Sequence, residues 1–105
     1  MKAYNMKSDN NNDVANQIVI KNDKEIIFQS YGTTIGKIKK AISYSNGHNE
    51  IVINNIILDK DYWDYSRTTL KYLNKFISQY THHNTNTKEI RKLINNNIIK
   101  LSNLN

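Results

Sequence analysis

The sequence predicts an α+β fold: a small antiparallel β-meander packed against one main amphipathic helix, with a short second helix. Three observations carry this reading. Short β-branched runs alternate with turn residues between positions 17 and 58, a long helical apolar face begins after Asp64, and a capping pattern at Asn86 precedes a shorter apolar face. With 105 residues there is room for one domain and one modest core. Residues 16–105 are read as that domain.

Residues 1–15 are polar, rich in Asn and Asp and without periodicity, and are predicted to be a flexible N-terminal arm. Gln17-Ile18-Val19-Ile20-Lys21 and Glu25-Ile26-Ile27-Phe28-Gln29 flank Asn22-Asp23-Lys24, which reads as a hairpin. Ser30-Tyr31-Gly32 turns the chain into a strand over residues 33–42, where Gly36 signals a bulge or a close backbone approach. Asn46-Gly47 is the strongest turn signal of the chain, because it supplies the positive φ angles of a tight hairpin. Residues 50–53 and 56–58 follow as strands broken by Asn54-Asn55. The many asparagines read first as a coding bias and second as turn formers.

The main helix is predicted over residues 66–79. Asp64 and Ser66 are both good cap residues, and an acid ahead of the first turn suits the helix dipole. At 100° per residue, Thr69, Leu70, Tyr72, Leu73, Phe76, Ile77 and Tyr80 share one side, with Trp63 and Tyr65 expected to fill the entry. Arg67, Lys71 and Lys75 stand at i, i+4 and i+8 on the other side. Asn86-Thr87-Lys88-Glu89 has capping-box spacing, Ile90, Leu93 and Ile94 give the second helix a face, and Asn95-Asn96-Asn97 ends it. Ile98-Ile99-Lys100-Leu101 is expected to add an edge strand.

Charge is distributed unevenly. The net charge is +6, yet residues 1–64 balance their lysines against Asp and Glu, so the whole surplus arises from Arg67, Lys71, Lys75, Lys88, Arg91, Lys92 and Lys100 against Glu89. Such asymmetry points to a basic face for nucleic acid or an acidic protein surface, or else to a solvated Lys-rich surface. Tyr62, Trp63, Tyr65 and Tyr72 lie close in sequence to Arg67, Lys71 and Lys75, as in sites that stack bases and hold phosphates. Trp63 and Tyr72 are equally expected in the core of a chain with only two Phe. The candidate binding residues are therefore Arg67, Lys71, Lys75, Lys88, Arg91, Lys92 and Tyr65.

Catalytic signatures are missing from the sequence. With no cysteine there is no disulfide and no thiolate chemistry. Asp59, Asp61 and Asp64 lack the glycine and distant Glu of a calcium loop, and read as turn and cap residues, with a two-metal arrangement as the alternative. His82 and His83 lack any metal-ligand spacing, and Gly32 and Gly36 match no phosphate loop. No enzyme, metal or cofactor is expected. The N-terminus carries no signal-like apolar run and no window has the ~18 apolar residues of a membrane span, so a cytoplasmic location with no membrane partner is expected.

Three blocks carry a resemblance: Ser30-Tyr31-Gly32-Thr33-Thr34, then Tyr62-Trp63-Asp64-Tyr65-Ser66-Arg67-Thr68-Thr69-Leu70-Lys71-Tyr72, and Leu101-Ser102-Asn103-Leu104-Asn105. Over residues 28–105 the chain resembles a group of small, uncharacterised phage and prophage proteins, departing from their pattern at Leu73. The resemblance implies an origin, inside an infected bacterial host, rather than an activity. The resulting expectation is a non-enzymatic phage protein that inhibits a host defence system, similar in kind to anti-CRISPR proteins, by binding a defence protein or ribonucleoprotein. The alternative is a small basic nucleic-acid-binding accessory protein acting through the C-terminal part.

Overall fold

The computed structural model describes the backbone of residues 1–45 and 48–105 and the side chains of residues 1–40 and 55–105. Its elements are β1 (Lys2–Lys7), β2 (Asp13–Lys21), β3 (Glu25–Ser30), β4 (Thr33–Ser45), β5 (His48–Asp59), α1 (Arg67–Tyr80), α2 (Thr87–Asn95) and β6 (Ile99–Ser102). They form an α+β fold in which six strands follow in sequence order across one sheet. Each neighbour pair is antiparallel except β5 with β6, which run parallel because both helices intervene.

Local chemistry accounts for most of the turns. Asn22 accepts from the backbone N–H groups of Lys24 (2.9 Å) and Glu25 (2.8 Å) and so closes the β2–β3 hairpin. Between β3 and β4, Tyr31 (φ 51°) and Gly32 (φ 77°) form the two-residue loop, both left-handed as a primed hairpin turn demands. The Asn46-Gly47 turn lies outside the described residues. Asn11, Asn16 and Asn97 also hold positive φ, so part of the asparagine excess serves turns and bulges.

The first fifteen residues depart from the expected arm. β1 pairs with β2 from Lys2↔Lys21 to Lys7↔Asp13, and Met6 is buried in the core. Asn54 also differs from expectation: instead of a break it is stepped past within one continuous β5, as the register moves from Lys39↔Asn55 to Lys40↔Ile53.

One face of the sheet is covered by helix α1, whose Thr69, Tyr72, Leu73, Phe76 and Ile77 are buried. Phe28 stacks on Phe76 with ring centroids 5.5 Å apart, amid Val19, Ile26, Ile38 and Leu58. Gly36 permits this approach. A Cβ there would stand 2.9 Å from Leu58 Cδ2 and 3.7 Å from Leu73 Cδ1. The register that passes over Gly36 also skips Ile35 opposite Phe28 and Gln29, so the bulge and the close approach coincide. On the other face Ile18, Ile20, Ile27 and Ile57 are half-buried beside Lys37.

Both helices begin on cap side chains of the expected kind, and α2 ends at its asparagines as expected. Ser66 caps α1 by accepting from Thr69 N–H at 3.1 Å. Asn86 caps α2 by accepting from Glu89 N–H at 2.8 Å. At the end of α2, Asn97 turns left-handed, Ile98 N–H donates to Leu93 C=O (2.9 Å) and Asn97 N–H to Ile94 C=O (3.1 Å). This is a Schellman stop, and it aims the chain directly into β6.

Candidate binding surface

Three sequence blocks that are distant in the chain converge at the end of the sheet where β3 turns into β4 and β5 stops. Ser30 and Thr69 share a buried hydroxyl–hydroxyl bond of 2.8 Å, and Ser66 Oγ donates to Thr69 Oγ1 at 3.0 Å. The Asn105 side chain accepts from Thr34 N–H (2.9 Å) and donates to Thr34 C=O (3.0 Å), so the last residue is tied to the start of β4. Lys60 N–H donates to Ser102 C=O at 2.9 Å alongside.

Asp59 holds this end together. Its side chain is fully buried, and its two carboxylate oxygens accept from Asp61 N–H (3.1 Å), Tyr62 N–H (3.0 Å), Leu104 N–H (2.8 Å) and Asn105 Nδ2 (3.1 Å). Burial works to raise its pKa, but the donors, led by the Leu104 N–H, outweigh it and the carboxyl ionises below its ordinary value. Asp59 is thus a loop anchor with its acceptor positions occupied. Asp64, by contrast, pairs with Arg91 at 3.5 Å. No three His, Asp or Glu side chains cluster as a metal site among the described residues.

The sequence-derived binding residues do not share one patch. Lys75 and Lys71 reach Asp9 in the β1–β2 connection at 2.5 and 3.7 Å, and both ammonium groups lie over the Tyr72 ring. Bonding from Lys75 first, then the charges of Lys75 and Lys71, hold the Asp9 carboxyl below its ordinary value. These two lysines therefore belong to the β1 edge. Arg91 lies on the opposite side of the molecule, with its guanidinium 5.1 Å from the centre of the Trp63 ring. Arg67, Lys88 and Lys92 are exposed and have no ion partner among the described residues.

Tyr65 is the clearest departure within the helix entry. Trp63 is buried there as expected, but Tyr65 is 46% exposed and meets the 44%-exposed Tyr62 edge to face, with centroids 5.9 Å apart. Tyr31, exposed in its turn, belongs to the same end because its neighbour Ser30 bonds Thr69. Sequence reasoning missed Tyr31 as a surface residue; the adjoining Gly32 marked the turn that presents it. Lys60 and Leu101 were also missed, since only the parallel placement of β6 brings Leu101 beside Trp63.

Fold and surface define a small α+β domain that presents Tyr31, Tyr62 and Tyr65 where the three blocks meet. The chain belongs to a family of unknown function (DUF8033), whose model matches residues 1–92. That match takes in β1 and the β1–β2 connection, so these residues are part of the family's domain. No curated protein and no solved structure matches the chain. Among the described residues no helix is long and apolar enough to cross a membrane.

Proposed function

We propose that this chain is a non-enzymatic, phage-encoded binding protein that occupies a surface of a host defence protein or ribonucleoprotein and so inhibits it, in the manner of anti-CRISPR proteins. The observation that carries the binding reading is the exposed Tyr62–Tyr65 pair beside Arg67, which stands at the start of α1 and has no ion partner among the described residues. Tyrosine and arginine are the residues enriched where proteins bind proteins. Groups able to do chemistry are used structurally instead: Asp59 anchors a loop, Ser66 caps α1, and the Thr69 hydroxyl bonds Ser30 and Ser66. The phage setting is supported by the resemblance of the three blocks.

Capture of partners from host lysate by the tagged chain, with and without nuclease, tests the reading. A stoichiometric host protein is expected to survive nuclease and to be lost from a Tyr65→Ala/Arg67→Glu variant. Recovery of nucleic acid alone, with affinity falling steeply in salt and lost from Arg67→Glu/Lys88→Glu/Lys92→Glu, would replace it with the nucleic-acid-binding alternative.

A further inference from the structure

The sheet has two edges, and they are built differently. β1 has Lys2 and Lys7 along it, and its pairing with β2 shifts register between Asn5 and Lys7, where β2 carries the extra residues; a charged, irregular edge of this kind discourages another strand from pairing there. Tyr4 also bends its hydroxyl to Tyr80 at 2.5 Å. The β6 edge has no register shift against β5. Among the described residues, no hydrogen bond reaches its outer side at Ile99, Lys100 or Leu101. Every second backbone N–H and C=O of such an edge strand points away from the sheet.

Beside this edge lies a groove of about 380 Å³ lined by Lys60, Trp63, Asp64, Arg91, Ile94 and Leu101. Leu101 is 42% exposed and Ile98, just before β6, is 48% exposed, although both are large aliphatic residues. Leu101 shares a register position with Leu58, which is fully buried under α1, so Leu101 continues the helix-covered face to the rim of the sheet. A strand laid along β6 would place its side chain beside Leu101 on that same face, over the groove. The rim is basic: Lys60 and Arg91 line it, Asp64 answers Arg91 alone, and Lys100 stands on the opposite face of the same edge strand, where the alternate side chains of an added strand would lie.

From this geometry we propose that β6 is a docking edge for an extended acidic peptide of a partner protein, which adds as a seventh strand. A large apolar side chain of the peptide fills the groove against Leu101 and Trp63, and flanking Asp or Glu residues meet Lys60, Arg91 and Lys100. Backbone pairing supplies the bonding and the groove supplies selectivity. The inference rests on the reading of this chain as a binding protein, and it names the partner chemistry and the mode of contact.

The test is panning of a random dodecapeptide display library on the full chain, with enriched peptides titrated against the fluorescence of Trp63, the only tryptophan. Enrichment of acidic sequences with alternating apolar residues is expected. Their affinity should fall about tenfold in Leu101→Glu, as for one lost apolar anchor, and should collapse when alternate peptide amides are N-methylated. Circular dichroism of Leu101→Glu checks that the exposed substitution leaves the fold intact. Enrichment without acidic character, or binding indifferent to both Leu101→Glu and N-methylation, overturns the proposal. So does a dimer in sedimentation that Leu101→Glu dissolves, because the occupant would then be a second copy. A lysate partner retained by Leu101→Glu sinks this inference and leaves the binding function standing. Peptide binding with no lysate partner does the reverse.

Discussion

Replacing Asp59 by Ala should destabilise this protein more than loss of any exposed carboxylate. The side chain is fully buried and accepts four hydrogen bonds, two from the turn that follows β5 and two from the last two residues. A hydrogen bond to a charged group contributes a net ~1.5–3 kcal/mol. All four donors are part-buried and recover part of each bond from water once the carboxylate is gone. The equivalent of about two bonds is then lost, or about 3 kcal/mol. For a domain of this size that lowers the melting temperature by about 12 °C. The assay is urea unfolding followed by circular dichroism, on Asp59→Ala, on a chain lacking residues 104 and 105, and on the combination. Because the deletion and the substitution break the same two bonds, their costs should fall short of additive by about 1–2 kcal/mol. The carboxyl is also depressed by its donors, so its contribution is complete above the ordinary carboxylate value and is lost as pH falls through the lower folded value. Wild-type stability should therefore drop below about pH 4, and Asp59→Asn should lack that component of the fall. A loss under about 1 kcal/mol, or strictly additive costs, would refute the anchoring role.

Two further substitutions probe how α1 sits on the sheet. Gly36→Val adds atoms where a Cβ alone already stands 2.9 Å from Leu58 Cδ2, and should cost about 1–3 kcal/mol by the same unfolding assay; Gly36→Ala should cost less. Ser30→Ala leaves the Thr69 hydroxyl buried with only Ser66 for company and should cost about 1 kcal/mol, while Ser30→Ala with Thr69→Val should recover part of that loss. A double variant worse than the sum of its parts would show that the hydroxyl pair is not the coupling element.

How much of this was legible in the sequence follows from the range of each interaction. α1 and α2 were readable because their determinants are local: Ser66 and Asn86 cap within three residues, and the apolar face repeats within one turn. The hairpin at Asn22 and the turn at Gly32 were readable for the same reason. β1 was not, because Lys2–Lys7 sends only Met6 fully into the core, and its partner is supplied by pairing with β2 across a five-residue connection of Ser, Asp and Asn. Nor could helical spacing reveal that Lys71 and Lys75 are answered by Asp9, 62 or more positions earlier. The stripe was correctly placed on one helix side, and the carboxylate that meets it arrives only through the tertiary fold.

Topology turns a charge asymmetry along the chain into one across the sheet. The surplus of positive charge lies in residues 65–105, and these fold as the two helices and the strand that follow β5. α1 returns over the earlier strands, where Asp9 meets two of its lysines, so the β1 edge is answered from within. α2 and β6 continue outward to the far edge, and there Arg91 alone meets a carboxylate while Lys60, Lys92 and Lys100 meet none among the described residues. Exposed pairs of this kind contribute little to stability, so the unanswered lysines are not required by folding. Their effect is on the field that an approaching partner experiences. Beside β6, the edge whose backbone is open to pairing, Lys60 and Lys100 favour a ligand that carries negative charge on an extended chain.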